Sequence, residues 1–217
     1  MKKNAFTMLE LVFVIVVLGI LAALTLPRLD RDLKQEAADN LLSAFRYTQH
    51  LALSDDRHEF DDPKWQQRFW HIYFGTCEGK PFYVIGTDDD KDGANNSRIE
   101  FSESAIDPAT GKHMWGKDGN DCYGGQPQSD ISPTVFVGKT YGITDINGTG
   151  GCTHSFLGFD HLGRPYASSF TTSTTPDNSG YMSSDCTYNF TMSDGTQFAI
   201  KIIKETGYAM IVDQNQS

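Results

Sequence analysis

The sequence predicts an α+β fold: a long N-terminal helix, transmembrane in its first half and amphipathic in its second, packed on an antiparallel β-sheet domain. Three observations lead there. From Phe6 to Leu26 the chain is apolar with one charged residue, Glu10; about 21 residues of helix measure roughly 31 Å, enough for a hydrocarbon core of roughly 30 Å. Beyond Pro27, Leu29, Leu33, Ala37, Leu41, Phe45, Thr48 and Ala52 recur every three or four positions, with Asp30, Lys34, Glu36, Asp39 and Arg46 between them. That spacing lays one apolar stripe along a helix. From about Glu59 the pattern changes to short β-branched and aromatic runs separated by turn residues.

Residues 1–5 form a short basic leader. Lys2 and Lys3 precede the apolar run, so the positive-inside tendency keeps the N-terminus cytoplasmic and sends the rest across the membrane as a single-pass protein. A cleaved secretory signal is the competitor, but its apolar run is usually about 7–15 residues and ends in an A-x-A-like site. Residues 6–27 are the transmembrane helix and 28–58 its amphipathic continuation, with a kink expected at Pro27. Residues 59–217 form the periplasmic domain. Its candidate strands are 68–74, 82–85, 98–101, 134–137, 155–159, 186–192, 197–203 and 208–212, the last three reading as an antiparallel meander. Long polar stretches at 86–97, 107–133 and 171–185 are functional or tied down.

Cys77, Cys122, Cys152 and Cys186 are an even set without C-x-x-C spacing. In an oxidising compartment they are candidates for two disulfides, with three connectivities open; locality alone favours Cys77–Cys122 and Cys152–Cys186. A formal charge of −10 argues against general nucleic-acid binding, which requires basic surface.

Phe6-Thr7-Met8-Leu9-Glu10-Leu11, with its Lys-containing leader and an apolar helix holding Gly19 and Pro27, resembles the N-terminal signature of type IV pilins and type II secretion pseudopilins. The match covers roughly residues 2–30. The resemblance implies cleavage by a prepilin peptidase between Ala5 and Phe6, N-methylation of Phe6, and pairing of Glu10 with the Phe6 ammonium of a neighbouring subunit. The family usually has Gly before the cut; Ala5, the nearest in size, stands there. Near the other end, 159–165 (FDHLGRP) and 202–208 (IIKETGY) resemble strand-turn segments of minor pseudopilins of the general secretion pathway protein H and fimbrial T kind. The resemblance implies an inner-membrane assembly platform and other pilin-like subunits as partners.

A charge inside lipid costs on the order of 3 kcal/mol near the centre. Glu10 is four residues from Phe6, about 6 Å along a helix, so the cost there is smaller and an ammonium on an adjacent helix offsets it. The alternative is a hydrated carboxylate at the membrane edge.

Asp88, Asp90 and Asp92 alternate and Gly93 follows, matching the opening half of a D-x-D-x-D-G calcium loop. The twelfth loop position is Ile99, so Asn96 or Glu100 would complete the ligand set; a solvated acidic hairpin tip is the competing reading. No cofactor is otherwise required. The six histidines lack metal-ligand spacing, and neither a G-x-S-x-G elbow nor a phosphate loop occurs, so no enzyme activity is expected. Trp65, Phe69, Trp70 and Tyr73 read as core packing beneath the helix. Asp145-Ile146-Asn147-Gly148-Thr149 fits the N-x-[ST] sequon and its acidic-extended version, weighed against a bare turn. Together these expectations describe a structural minor pilin-like subunit of a type II secretion pseudopilus. The alternatives are a type IV pilus subunit for DNA uptake, adhesion or motility, and a membrane-anchored binding module or enzyme.

Overall fold

The computed structural model describes residues 8–59, 61–91, 99–152, 155–167 and 170–212, with side chains in the first helix described outside 22–32. Helix α1 (Met8–Ser54) runs without ending at position 27. It stops where Ser54-Asp55-Asp56 offers side-chain alternatives to the helical ladder: the Ser54 hydroxyl donates back to the His50 carbonyl at 2.7 Å.

The rest of the chain forms two four-stranded antiparallel sheets. The first has the order β2-β1-β4-β5 and comprises β1 (Trp70–Cys77), β2 (Lys80–Gly86), β4 (Phe156–Phe159) and β5 (Pro165–Tyr166). The second has the order β3-β6-β7-β8 and comprises β3 (Ile143–Gly150), β6 (Cys186–Met192), β7 (Gln197–Ile202) and β8 (Ala209–Val212). Alternation places the residues: in β6, Cys186, Tyr188, Phe190 and Met192 point inward and the residues between are half-buried. A single turn, α2 (Val137–Thr140), follows a 3-10 turn at Pro133–Val135.

The second half of α1 lies against both sheets. Ala37, Ala38, Leu41, Ala44, Phe45, Thr48 and Ala52 are buried, the stripe that the spacing predicts. Phe45 is 5.9 Å from the ring of Phe74 in β1 and 5.4 Å from Tyr188 in β6, so one side chain joins the two sheets. The alanines let the helix axis approach closely while Phe45 and Leu41 fill the space between. A smaller core of Trp65, Phe69, Phe156, Tyr166 and Phe170 sits apart from this one. Trp65 and Phe69 therefore pack with β4, β5 and the Phe170–Thr172 turn rather than beneath α1.

The transmembrane assignment is corrected. Among the described residues no helix is long and apolar enough to cross a membrane. The described apolar stretch at the start of α1, residues 8–21, is 14 residues, about 21 Å of helix against a core of roughly 30 Å. The next described side chains, from Leu33 on, belong to the polar and sheet-facing half. The fold is α+β with two antiparallel sheets, and the membrane-spanning first half, the single-pass placement in an inner membrane and the periplasmic assignment that followed from it fall together.

Two expected strands are replaced as well. Residues 99 and 100 are not in a strand and Phe101–Glu103 is a 3-10 turn; residues 134–137 are 3-10 and α-helical turns, because Pro133 starts a turn and Gly138 cannot carry a strand side chain. Conversely, β3 and β5 form where the spacing predicts no strand. The pairing Ile143↔Met192 through Gly150↔Cys186 shows tertiary pairing overriding a Gly- and Asn-rich local sequence.

Candidate functional site

Three regions carry the residues singled out in the sequence. The first is the N-terminal part of α1. Residues 8–21 are exposed on every side, from Met8 at 89% to Val14 at 48%, so valine, isoleucine, leucine and phenylalanine side chains project around the full circumference. A helix apolar all round is a buried helix, and within this chain nothing described covers it. Glu10 lies in the first turn, where the positive end of the helix dipole favours a carboxylate. Ala5 and Phe6, the residues flanking the expected cut, lie outside the described residues.

The second region joins α1 to the turns of both sheets. The Gln49 carboxamide donates to the Gly163 carbonyl at 2.8 Å and to the Thr206 carbonyl at 2.6 Å. Gly163 belongs to the β4–β5 turn and Thr206 to the β7–β8 turn, so the segments 159–165 and 202–208 meet on one helix residue. They also touch each other: a Cβ on Gly207, whose φ is +68°, would stand 2.3 Å from the Gly163 carbonyl oxygen. Only glycine combines that φ with that approach. Arg46 donates to the Ala209 carbonyl at 3.1 Å and lies over the Tyr208 ring at 5.4 Å. Within the first turn, fully buried Asp160 accepts from the Leu162 and Arg164 backbone at 3.0 and 2.8 Å, the Arg164 guanidinium at 2.8 Å and the Tyr181 hydroxyl at 2.9 Å. Burial first, and then the Asp160 carboxylate it serves, push the Tyr181 phenol up to about 12.

The third region is the acidic loop. Asp92 and Asn96 lie outside the described residues. Asp88 and Asp90 come together with Glu103, not with Glu100: carboxylate oxygens of these three lie within 4.8 Å of one another. Glu103 accepts from the Asp89 backbone at 2.7 Å, the Asp90 backbone at 3.3 Å and the Glu100 backbone at 3.2 Å. Desolvation by burial holds its carboxyl above the usual range. Three hard oxygens suit calcium in kind but supply half or less of the six to eight it takes. The adjoining residues are engaged elsewhere. Asp89 pairs with Arg57 and, at 3.5 Å, with Arg68; Lys91 pairs with Asp62 and reaches Glu59 at 4.0 Å. The hydrogen bond from Lys91 holds the Asp62 carboxyl below the usual range. The described part of this loop, residues 88–91, is thus an ion-paired strap across the segment that follows α1.

The four cysteines form two disulfides, Cys77–Cys122 and Cys152–Cys186, with Cα separations of 5.5 and 4.9 Å. The first ties the long 107–133 segment to the end of β1, and the second closes the connection between β3 and β6. Sequence reasoning missed Gln49 and Glu103. Gln49 sits beside a buried stripe with no partner in sequence, and Glu103 lies beyond the calcium-loop window. Comparison of the chain with protein-family models, with curated proteins and with solved structures finds no match.

Proposed function

We propose that the chain is a minor pilin-like subunit of a type II secretion pseudopilus, released from its leader by a prepilin peptidase and assembled with other pilin-like subunits through α1. The observation that carries the reading is the division of that helix: residues 37–52 are satisfied by the two sheets, whereas residues 8–21 are apolar all round and exposed. Helices of neighbouring subunits are the cover we assign to them, since apolar surface removed from water stabilises by about 25 cal/mol per Å². Glu10 then meets the ammonium that cleavage between Ala5 and Phe6 creates. The low dielectric among packed helices strengthens that pairing. The two disulfides fit a domain that works in an oxidising compartment.

Mass spectrometry of the protein from its native host is the direct test. The expected mature chain begins at N-methylated Phe6, and retention of Met1 in cells with an active prepilin peptidase overturns the proposal. Deleting the gene should abolish exoprotein secretion while piliation and transformation persist. The opposite pattern assigns the subunit to a surface pilus.

A further inference from the structure

We propose that Asn147 is an N-glycosylation site, bearing an oligosaccharide on its carboxamide nitrogen. The motif Asp145-Ile146-Asn147-Gly148-Thr149 lies within β3. Side chains two apart on a strand share a face, and Asp145, Asn147 and Thr149 are all exposed, while Ile146 and Gly148 between them are half-buried. The acid, the acceptor and the hydroxyl of an acidic-extended sequon therefore stand in one open row, about 7 Å from one to the next. A bare turn would not hold them so.

The inward and outward positions of this segment have different causes. At Gly148 a Cβ would lie 2.7 Å from the Cys152 Cβ and 2.9 Å from its carbonyl oxygen, so packing beside the Cys152–Cys186 disulfide requires the glycine. Packing places no such demand on the exposed trio. The Asn147 carboxamide nitrogen donates to no group among the described residues. Its cross-strand neighbour Asn189 reaches the Asn147 backbone carbonyl, at 3.5 Å, rather than its side chain. Thr149 donates its hydroxyl to the Thr187 carbonyl at 3.2 Å, which fixes the row's far end without covering Asn147.

A second observation is independent of the motif. β3 is the outer strand of its sheet, and an exposed edge is a template for pairing with another chain. Proteins guard such edges with lysine, proline or a covering element, and β3 contains neither lysine nor proline. A hydrated oligosaccharide rooted at its middle would cover the edge. The disulfide two residues past the strand fits an oxidising compartment, the kind of compartment in which lipid-linked sugars are transferred to extended acceptor segments.

The reaction is a substitution at C1 of the first sugar of a lipid-diphosphate-linked oligosaccharide, catalysed by a transferase. The bond between Asn147 Nδ2 and C1 forms, and the C1–oxygen bond to the diphosphate breaks. The lipid diphosphate leaves with the electron pair, and the amide proton passes to a base of the transferase. Transfer precedes pairing of β3 with β6, while the segment is still free to enter the transferase; the folded face then leaves room for the product.

The test is tryptic mass spectrometry, after reduction, of the full-length protein from its native host, reading peptide 140–201, since trypsin does not cut the Arg164–Pro165 bond. The expected peptide is heavier by an oligosaccharide in the wild type and of unmodified mass in Asn147→Gln and in Thr149→Val, which keeps the β-branched shape of an exposed strand residue. An unmodified wild-type peptide overturns the proposal. So does a modification that survives Asn147→Gln, because the sugar would then sit on another side chain.

Discussion

The two ends of α1 are both apolar and belong to one helix, yet one is buried and the other is not. In residues 37–52 the apolar positions keep a spacing of three and four and are rich in alanine, so they form a single stripe that two sheets can cover. In residues 8–21 large side chains occupy every face, which no single sheet can cover. Hydrophobicity alone therefore does not separate a helix segment that completes its own domain from one that the domain leaves uncovered. The arrangement around the axis does.

The sharpest way to break this comparison is a pair of matched truncations. Phe45→Ala removes a ring wedged between Phe74 and Tyr188 and should destabilise the domain by about 4 kcal/mol in chemical denaturation. Phe13→Ala, on a residue 65% exposed, should change domain stability by less than about 0.5 kcal/mol yet reduce incorporation into filaments. Equal losses of stability from both would erase the distinction between the two halves.

Next in size, Asp160→Ala should cost about 2 kcal/mol, since it leaves the backbone N–H groups of Leu162 and Arg164 without the buried carboxylate that accepts from them; a loss under about 1 kcal/mol would show that the turn which receives α1 does not depend on this carboxylate.

Acid should act through Asp107. Burial pushes its carboxyl up, but the Ser132 hydroxyl at 2.6 Å, the Ala109 backbone at 2.9 Å and the Thr110 hydroxyl at 2.9 Å outweigh that and leave it lowered. A carboxyl lowered in the folded state contributes stability that is present above its unfolded pKa of about 3.9 and is lost as pH falls through the folded value. Melting temperature should thus fall more steeply below about pH 4 in the wild type than in Asp107→Asn. Parallel curves would remove Asp107 from the account.

The smallest effect concerns the strap below the end of α1. Calcium at ten times its Kd should raise the melting temperature by about 3 °C, and Glu103→Gln should cancel the rise. No shift in the wild type would leave Asp88, Asp90 and Glu103 as a hydrogen-bonded corner of the loop.

Much of this molecule was legible from residue spacing. The stripe from Ala37 to Ala52 is visible because period 3.6 persists over several turns, and β6, β7 and β8 because β-branched and aromatic alternation is punctuated by Ser193-Asp194-Gly195 and Glu205-Thr206-Gly207. What escaped depends on partners distant in the chain. β3 exists because β6 pairs with it, and its Gly, Asn and Thr content hides that. In the acidic loop, spacing shows only local neighbours: Arg57 and Arg68, which hold Asp89, and Glu103, which joins Asp88 and Asp90, lie outside its window. The length of the apolar run misled differently, since a count of apolar residues states what a helix avoids, namely water, and not what covers it.

The carboxamide of Gln49 has a mechanical consequence. It is fastened at once to a turn of each sheet, through Gly163 and Thr206, and a slip of α1 by one residue, about 1.5 Å with a rotation of about 100°, would break both bonds together. Tension applied to the exposed end of the helix should therefore be divided between the two sheets rather than peel one from the other. A pull on the rod moves the whole domain as a single body.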